Sequence, residues 1–152
     1  MVNYYQTKIG VLEIKEENGA ITEIGLVKEI KKGEENSLLK QAFIEISEYL
    51  DGKRKNFTFN TNPKGTSFQK QVWNALLTIP YGTTCSYKDI AIKINNPKAY
   101  RAVGLANNKN PIMIVIPCHR VIGSNGKLVG YAGGLNIKEQ LLKLERDNYE
   151  SI

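Results

Sequence analysis

The stretch Ser86-Tyr87-Lys88-Asp89-Ile90-Ala91-Ile92-Lys93-Ile94, interrupted by Asn95-Asn96-Pro97 and resumed as Lys98-Ala99-Tyr100-Arg101-Ala102-Val103-Gly104, decides how the second half of this 152-residue chain is read. Ile90, Ala91 and Ile94 recur at helical spacing, and the break that follows is too short to leave the neighbourhood of the first helix. A second helix is expected to restart at Pro97, because proline is tolerated in a first turn, and to run toward Asn107-Asn108. Two short helices joined by a tight break predict a helix-turn-helix. Upstream, Thr66-Ser67-Phe68-Gln69 has capping-box spacing for a further helix with Phe68, Val72, Ala75 and Leu76 on one face. Trp73 on that helix is read as core, without a functional role.

Working back toward the N-terminus, the pattern changes from period 3.6 to period 2. Val11-Leu12-Glu13-Ile14-Lys15, then Asn18-Gly19, then Ile21-Thr22-Glu23-Ile24 predict a hairpin whose Asn-Gly supplies the positive φ angles of a tight turn. Ser37 to Leu50 predicts one amphipathic helix over that sheet. Phe57 to Gly65, with Pro63, reads as a linker. The expected architecture is therefore α+β. An N-terminal scaffold domain, a small antiparallel sheet plus helix, spans residues 1–62, and a mainly helical domain with a winged-helix-like helix-turn-helix spans residues 63–152.

The net charge of +6 is unevenly distributed. Residues 1–60 hold 9 basic and 10 acidic side chains, residues 61–132 hold 9 basic and one acidic, Asp89, and residues 133–152 hold three basic and four acidic. So concentrated a positive stretch predicts a phosphate-facing surface. No apolar run approaches the roughly 20 residues needed to cross a bilayer, nothing at the N-terminus reads as a signal peptide, and a cytoplasmic location is expected. Two cysteines, Cys85 and Cys118, make no disulfide framework and are expected as free thiols, Cys85 a structural one. The single histidine, His119, rules out a zinc site of the usual Cys and His composition, so no metal is expected.

Chemistry concentrates in Val115-Ile116-Pro117-Cys118-His119-Arg120-Val121, where the one histidine adjoins a cysteine and an arginine. A thiol must become thiolate to attack carbon, and both a base and a positive charge are at hand to lower its pKa. Farther back, the low surface of Ala99, Ala102, Gly104 and Ala106 would let a helix approach a groove floor. Arg101 is the one long side chain among them.

Pro117-Cys118-His119-Arg120-Val121 after Asn110-Pro111, with Tyr87 and Arg101 upstream and Gly130-Tyr131-Ala132-Gly133-Gly134 downstream, resembles the O6-alkylguanine-DNA alkyltransferases. The resemblance covers residues 66–145 closely and the first 60 through their order of elements. It implies direct, irreversible, stoichiometric transfer of an alkyl group from O6-alkylguanine, flipped out of double-stranded DNA, onto Cys118, without a cofactor. It further implies that His119 is the base acting through a water, Glu145 the carboxylate that orients it, and Asn110 the brace of the active-site turn. Tyr87 would assist base rotation and protonate the leaving guanine, and Arg101 would be the finger replacing the flipped base. Tyr100, Ala102, Gly104, Lys98 and Arg120 complete the expected DNA-binding set, and Tyr131, Ala132, Gly133 and Val121 the pocket. A monomer is the family expectation. Ala132 departs from the serine common in animal members, which leaves tolerance of bulky groups open, as is activity on O4-alkylthymine. The alternative is a module that recognises alkylated bases without transfer, against which Cys118 itself argues.

Overall fold

The computed structural model describes residues 1–126, 131 and 134–150. It divides into two compact units. The first comprises Met1–Lys64 with Pro111–Met113 and Glu150; the second comprises Gly65–Asn110 and, among the described residues, the remainder of Ile114–Tyr149.

In the first unit, strands β1 (Val2–Thr7), β2 (Gly10–Glu17) and β3 (Ala20–Val27) form an antiparallel sheet in the order β1-β2-β3. Asn18 (φ +51°) and Gly19 (φ +80°) make the β2–β3 turn, the conformation that Asn-Gly adopts at least cost. Helix α1 (Ser37–Leu50) opens on Asn36, whose Oδ1 accepts from the Leu39 amide at 2.8 Å. It lays Leu39, Ala42, Ile46 and Tyr49 against Leu12, Ile14, Ile21 and Ile24 of the sheet, and all of these are buried.

The segment expected as a linker from Phe57 is instead tied down. Ile21 and Asn62 exchange backbone hydrogen bonds with this stretch and β3, and Phe59 is buried. Thr58 donates through its amide and its hydroxyl to the buried carboxylate of Glu45, at 2.8 and 2.6 Å. Pro111–Met113 adds a further short backbone pairing to β3, with the Ile24 amide donating to Pro111 and the Met113 amide to Ile24.

The second unit is mainly helical: α2 (Ser67–Leu76), α3 (Tyr87–Lys93), α4 (Tyr100–Asn108) and α5 (Leu135–Asp147), with β4 (Cys85–Ser86) and β5 (Val121–Ile122) pairing in parallel. Capping boxes start α2 (Thr66 with Gln69) and α3 (Ser86 with Asp89), so both helix starts are written in residues three apart. The end of α3 is a Schellman motif: Asn95 takes φ +59°, its amide donates to Ile92 and the Asn96 amide donates to Ala91.

The second helix of the pair does not restart at Pro97. The Ala99 amide donates to the Asn96 carbonyl at 3.0 Å, closing a turn with Pro97 at its second position, and α4 begins at Tyr100. Proline's fixed φ suits that turn as well as it suits a helix start. Helix α4 packs on α2 and α3 through Val103 and Ala106, and the buried Trp73 indole donates to the Ala106 carbonyl at 2.9 Å. Among the described residues no helix is long and apolar enough to cross a membrane.

Candidate active site

Cys118, His119 and Arg120 form a single 3-10 turn running into β5. Three residues per turn sends the consecutive side chains in three directions. The turn is reached through Ile114, a buried β-branched residue at φ +73°, in the left-handed region that such side chains rarely enter. Asn110 donates from Nδ2 to the Ile116 carbonyl at 2.7 Å and also hydrogen-bonds the Cys118 thiol, so one side chain braces both the approach and the nucleophile. Asn107, buried on α4, donates to the Cys118 carbonyl at 3.3 Å.

Glu145, 27 positions on and carried by α5, is the electrostatic centre. Its Oε2 lies 2.7 Å from His119 Nε2, and it accepts from Arg120 Nε at 2.8 Å, Arg120 Nη2 at 3.0 Å and the Gly82 amide at 3.1 Å. Burial would raise this carboxyl, but the hydrogen bonds and charges of His119 and Arg120 outweigh it and hold the group at about 2. An ionised Glu145 fixes the proton of neutral His119 on Nε2, which makes Nδ1 the basic nitrogen. Burial, over the opposing pull of Glu145, keeps the His119 pKa below its ordinary value. The imidazole is thus a neutral base at pH 7.

Cys118 is 2% exposed. Burial pushes its thiol up to about 11, against the hydrogen bond from Asn110, the positive charge of Lys138 and the hydrogen bond with Tyr131. Lys138 is fully buried on α5, donates to the Val121 carbonyl at 2.6 Å, and is pulled down to about 8 by the same burial. Burial raises the Tyr87 phenol, and so does the Cys118 charge, which keeps this hydroxyl a proton donor. Tyr131 is raised well above its ordinary value by burial and by Cys118.

Beyond this centre, α4 presents Arg101, Ala102, Leu105 and Asn108 outward. Arg101 and Lys88 both lie over the Tyr100 ring, 5.9 and 5.6 Å from its centroid. Lys98 is exposed just before the helix, and Ala99 at its N-cap makes no side-chain hydrogen bond to the first turn. A side chain added at Gly104 would meet the Tyr87 ring at 3.9 Å, an ordinary contact, so this glycine is not required by space.

A family model described as the DNA binding domain of 6-O-methylguanine DNA methyltransferase matches residues 67–147, and one described as its ribonuclease-like domain matches residues 1–63. The chain belongs to the 6-O-methylguanine DNA methyltransferase family. Within that family it is 58% identical over 115 residues to a methylated-DNA–protein-cysteine methyltransferase of Methanosarcina barkeri, covering 76% of this chain and 73% of the relative. It is 44% identical to the constitutive methylated-DNA–protein-cysteine methyltransferase of Bacillus subtilis over 98% of this chain and 99% of the relative. The crystal structure of Mycobacterium tuberculosis OGT in complex with DNA superposes with a TM-score of 0.89 at 41% identity, over 97% of this chain and 93% of that one.

For this member of the 6-O-methylguanine DNA methyltransferase family, the expected placement of one site residue needs correction. Arg120, expected among the DNA contacts, is 7% exposed and directed inward: besides its two bonds to Glu145, its Nη1 donates to the Ile79 carbonyl at 2.7 Å and its guanidinium lies 5.6 Å from the Tyr81 ring centroid. A bidentate pair with a buried carboxylate leaves it no reach toward a phosphate.

Val121 is fully buried, with its side chain in the core and its carbonyl bound to Lys138. Tyr131 stands against Cys118, whereas Ala132 and Gly133 lie outside the described residues. Cys85 is a free, half-buried thiol in β4 that burial and Asp89 raise to about 11. Among the described residues no group of three or more His, Cys, Asp or Glu side chains could hold a metal ion. Lys138 and Asn107 were not singled out by sequence reasoning. The only local signal for Lys138 was a lysine at position i+4 to Gly134 on the inward stripe with Leu141, Leu142 and Glu145.

Proposed function

We propose that this protein repairs DNA by moving the alkyl group of an O6-alkylguanine, extruded from the duplex, onto the sulfur of Cys118. The observation that carries the reading is the arrangement in the 3-10 turn: a buried thiol whose neighbour in sequence is a neutral histidine held at 2.7 Å by an ionised, buried carboxylate. This is the nucleophile, base and orienter pattern.

In the proposed step His119 Nδ1 takes the Cys118 proton through a water, and Glu145 stabilises the imidazolium that results. The sulfur attacks the alkyl carbon as the bond from that carbon to O6 breaks. The electron pair goes to guanine, the Tyr87 hydroxyl protonates N3, and the proton taken up by His119 returns through water to the Tyr87 phenolate, leaving neutral guanine, neutral His119 and a thioether on Cys118. Atoms and charges balance without a metal or cofactor, and a thioether has no easy way back to a thiol. Each molecule therefore acts once.

Extrusion costs a few kcal/mol, least for a badly paired base. Phosphate contacts from the basic stretch offset it. Arg101, exposed on α4, is the group proposed to fill the gap, with Tyr100, Ala102, Gly104 and Lys98 around it. Asn110 is proposed as the brace of the active-site turn. The protein is proposed to act as a monomer in the cytoplasm on double-stranded DNA.

The test is intact-protein mass spectrometry after mixing with excess duplex containing O6-methylguanine, followed by peptide mapping, with Cys118→Ala in parallel. A gain of one methyl group on Cys118, saturating at one and absent from the variant, is expected. Binding of the damaged duplex without any mass gain would replace this reading with damage recognition alone.

A further inference from the structure

Helix α4 displays an apolar group that neither the core nor the transfer step uses. Leu105 is 69% exposed, the most exposed large hydrophobic side chain among the described residues. Val103, Ala106 and Asn107 of the same helix point inward, so Leu105 shares the outward face with Arg101 and Ala102. It stands one turn beyond Arg101, about 6 Å along the axis, which approaches two base-pair rises of a duplex at about 3.4 Å each. Between them Ala102 adds little bulk.

A single exposed leucine ordinarily needs no explanation. This one has unusual company. From Ile90 to Lys138 the sequence contains no carboxylate side chain, and Lys98, Arg101 and Lys109 flank the α4 face. An apolar centre bordered by cations, with no carboxylate in the surrounding sequence, fits a partner that is anionic at its edges and apolar between them. A duplex groove has that form: phosphates form its rims, and deoxyribose and base edges form its floor.

We propose that Leu105 is a second prong of the DNA-binding helix, seated on the deoxyribose and base edges of the groove floor one turn from Arg101, where it supplies affinity that salt does not screen. The assignment rests on the DNA-repair reading above. Contacts to phosphate release counterions and set the slope of log affinity against log salt; burying an isobutyl group does not. The two kinds of contact are therefore separable in one experiment.

Fluorescence anisotropy with a labelled, undamaged duplex, run between about 50 and 200 mM salt, makes the separation. Leu105→Ala is expected to weaken binding roughly threefold to tenfold at every salt concentration, giving a line parallel to that of the unaltered protein. Leu105→Met is expected to recover most of the loss. Lys98→Ala, by contrast, is expected to lower the slope by about one.

A Leu105→Ala line lying on the unaltered one, or differing from it in slope, overturns the assignment while leaving the repair reading intact. So does a sedimentation change showing that Leu105 mediates self-association while DNA affinity is unchanged. No binding of the duplex by the unaltered protein overturns both.

Discussion

Replacing Arg120 by alanine is expected to destabilise the fold by about 3–5 kcal/mol and to leave the salt dependence of DNA binding unchanged. The magnitude follows from what the guanidinium holds. Two of its nitrogens bond Glu145 at 2.8 and 3.0 Å and a third bonds the Ile79 carbonyl at 2.7 Å, all in a region closed to solvent. Removing it strips two charge-assisted hydrogen bonds from a carboxylate that is 1% exposed, while His119 and the Gly82 amide stay on it. Breaking a buried pair from one side costs more than the pair contributed, because the surviving charge is stranded.

Against a total stability of about 5–15 kcal/mol, that loss is large, and it corresponds to a fall in melting temperature of about 10 °C or more. Arg120→Lys should fall in between, since an ammonium cannot bridge both oxygens and the carbonyl at once. Urea denaturation gives the stability, and anisotropy over a salt series, at a temperature where the variant remains folded, gives the slope. An Arg120→Ala protein as stable as the unaltered one, with a salt slope reduced by about one, would refute the inward assignment and return Arg120 to the phosphate surface.

On the acid side, His119 is depressed below its ordinary 6.5 and Glu145 from 4.5 to about 2, so for both groups the unfolded chain binds protons first. Their stabilisation is complete above pH 6.5 and is lost as pH falls, first through His119 and then through Glu145; Glu145→Gln should flatten the lower part of that fall in pH-dependent denaturation. On the alkaline side two shifts oppose each other. Lys138, at about 8 rather than 10.5, makes stability rise between those values, while Cys118, at about 11 rather than 9, makes it fall between 9 and 11. Lys138→Met should therefore steepen the loss of stability above pH 9, and an unchanged profile would mean that Lys138 is not buried as a cation. Trp73→Phe removes the donor to the Ala106 carbonyl and should cost about 1–3 kcal/mol by urea denaturation.

The features that sequence disclosed are those whose partners are near in the chain. Capping boxes at Thr66 and Ser86 and the Asn18-Gly19 turn each close within three residues, and α1 was legible because its apolar stripe repeats over four turns. Strand β1 was not singled out: Val2, Tyr4 and Gln6 alternate with Asn3, Tyr5 and Thr7, so neither face is cleanly apolar and period 2 carries no signal. Pro97 suited two local structures equally, and the carbonyl of Asn96 decided between them. At the site, the resemblance pointed to Glu145, but nothing local could tell that Arg120 turns in toward it. On a 3-10 turn, neighbours in sequence diverge, and which of them faces inward depends on a helix some 20 residues away.

That helix explains how, in the proposed transfer, the nucleophile and its base are tuned together. Lys138 and Glu145 stand two turns apart on one face of α5, both buried, with opposite charges. The first acts on Cys118 and the second on His119. With its thiol at about 11, Cys118 would be roughly one part in ten thousand thiolate at pH 7, too little for attack unless a base takes the proton in the same event. The burial that silences the thiol also shields it from other electrophiles, so a protein that reacts once, as proposed, would keep its single equivalent until a substrate occupies the site. Asn110, Lys138 and Tyr131 then limit how much thiolate stability burial removes, and Glu145 keeps the neighbouring base neutral at rest but able to hold a proton when the thiol gives it up. Inertness without substrate and reactivity with it arise from the same buried charges, and a change to either end of α5 would disturb both.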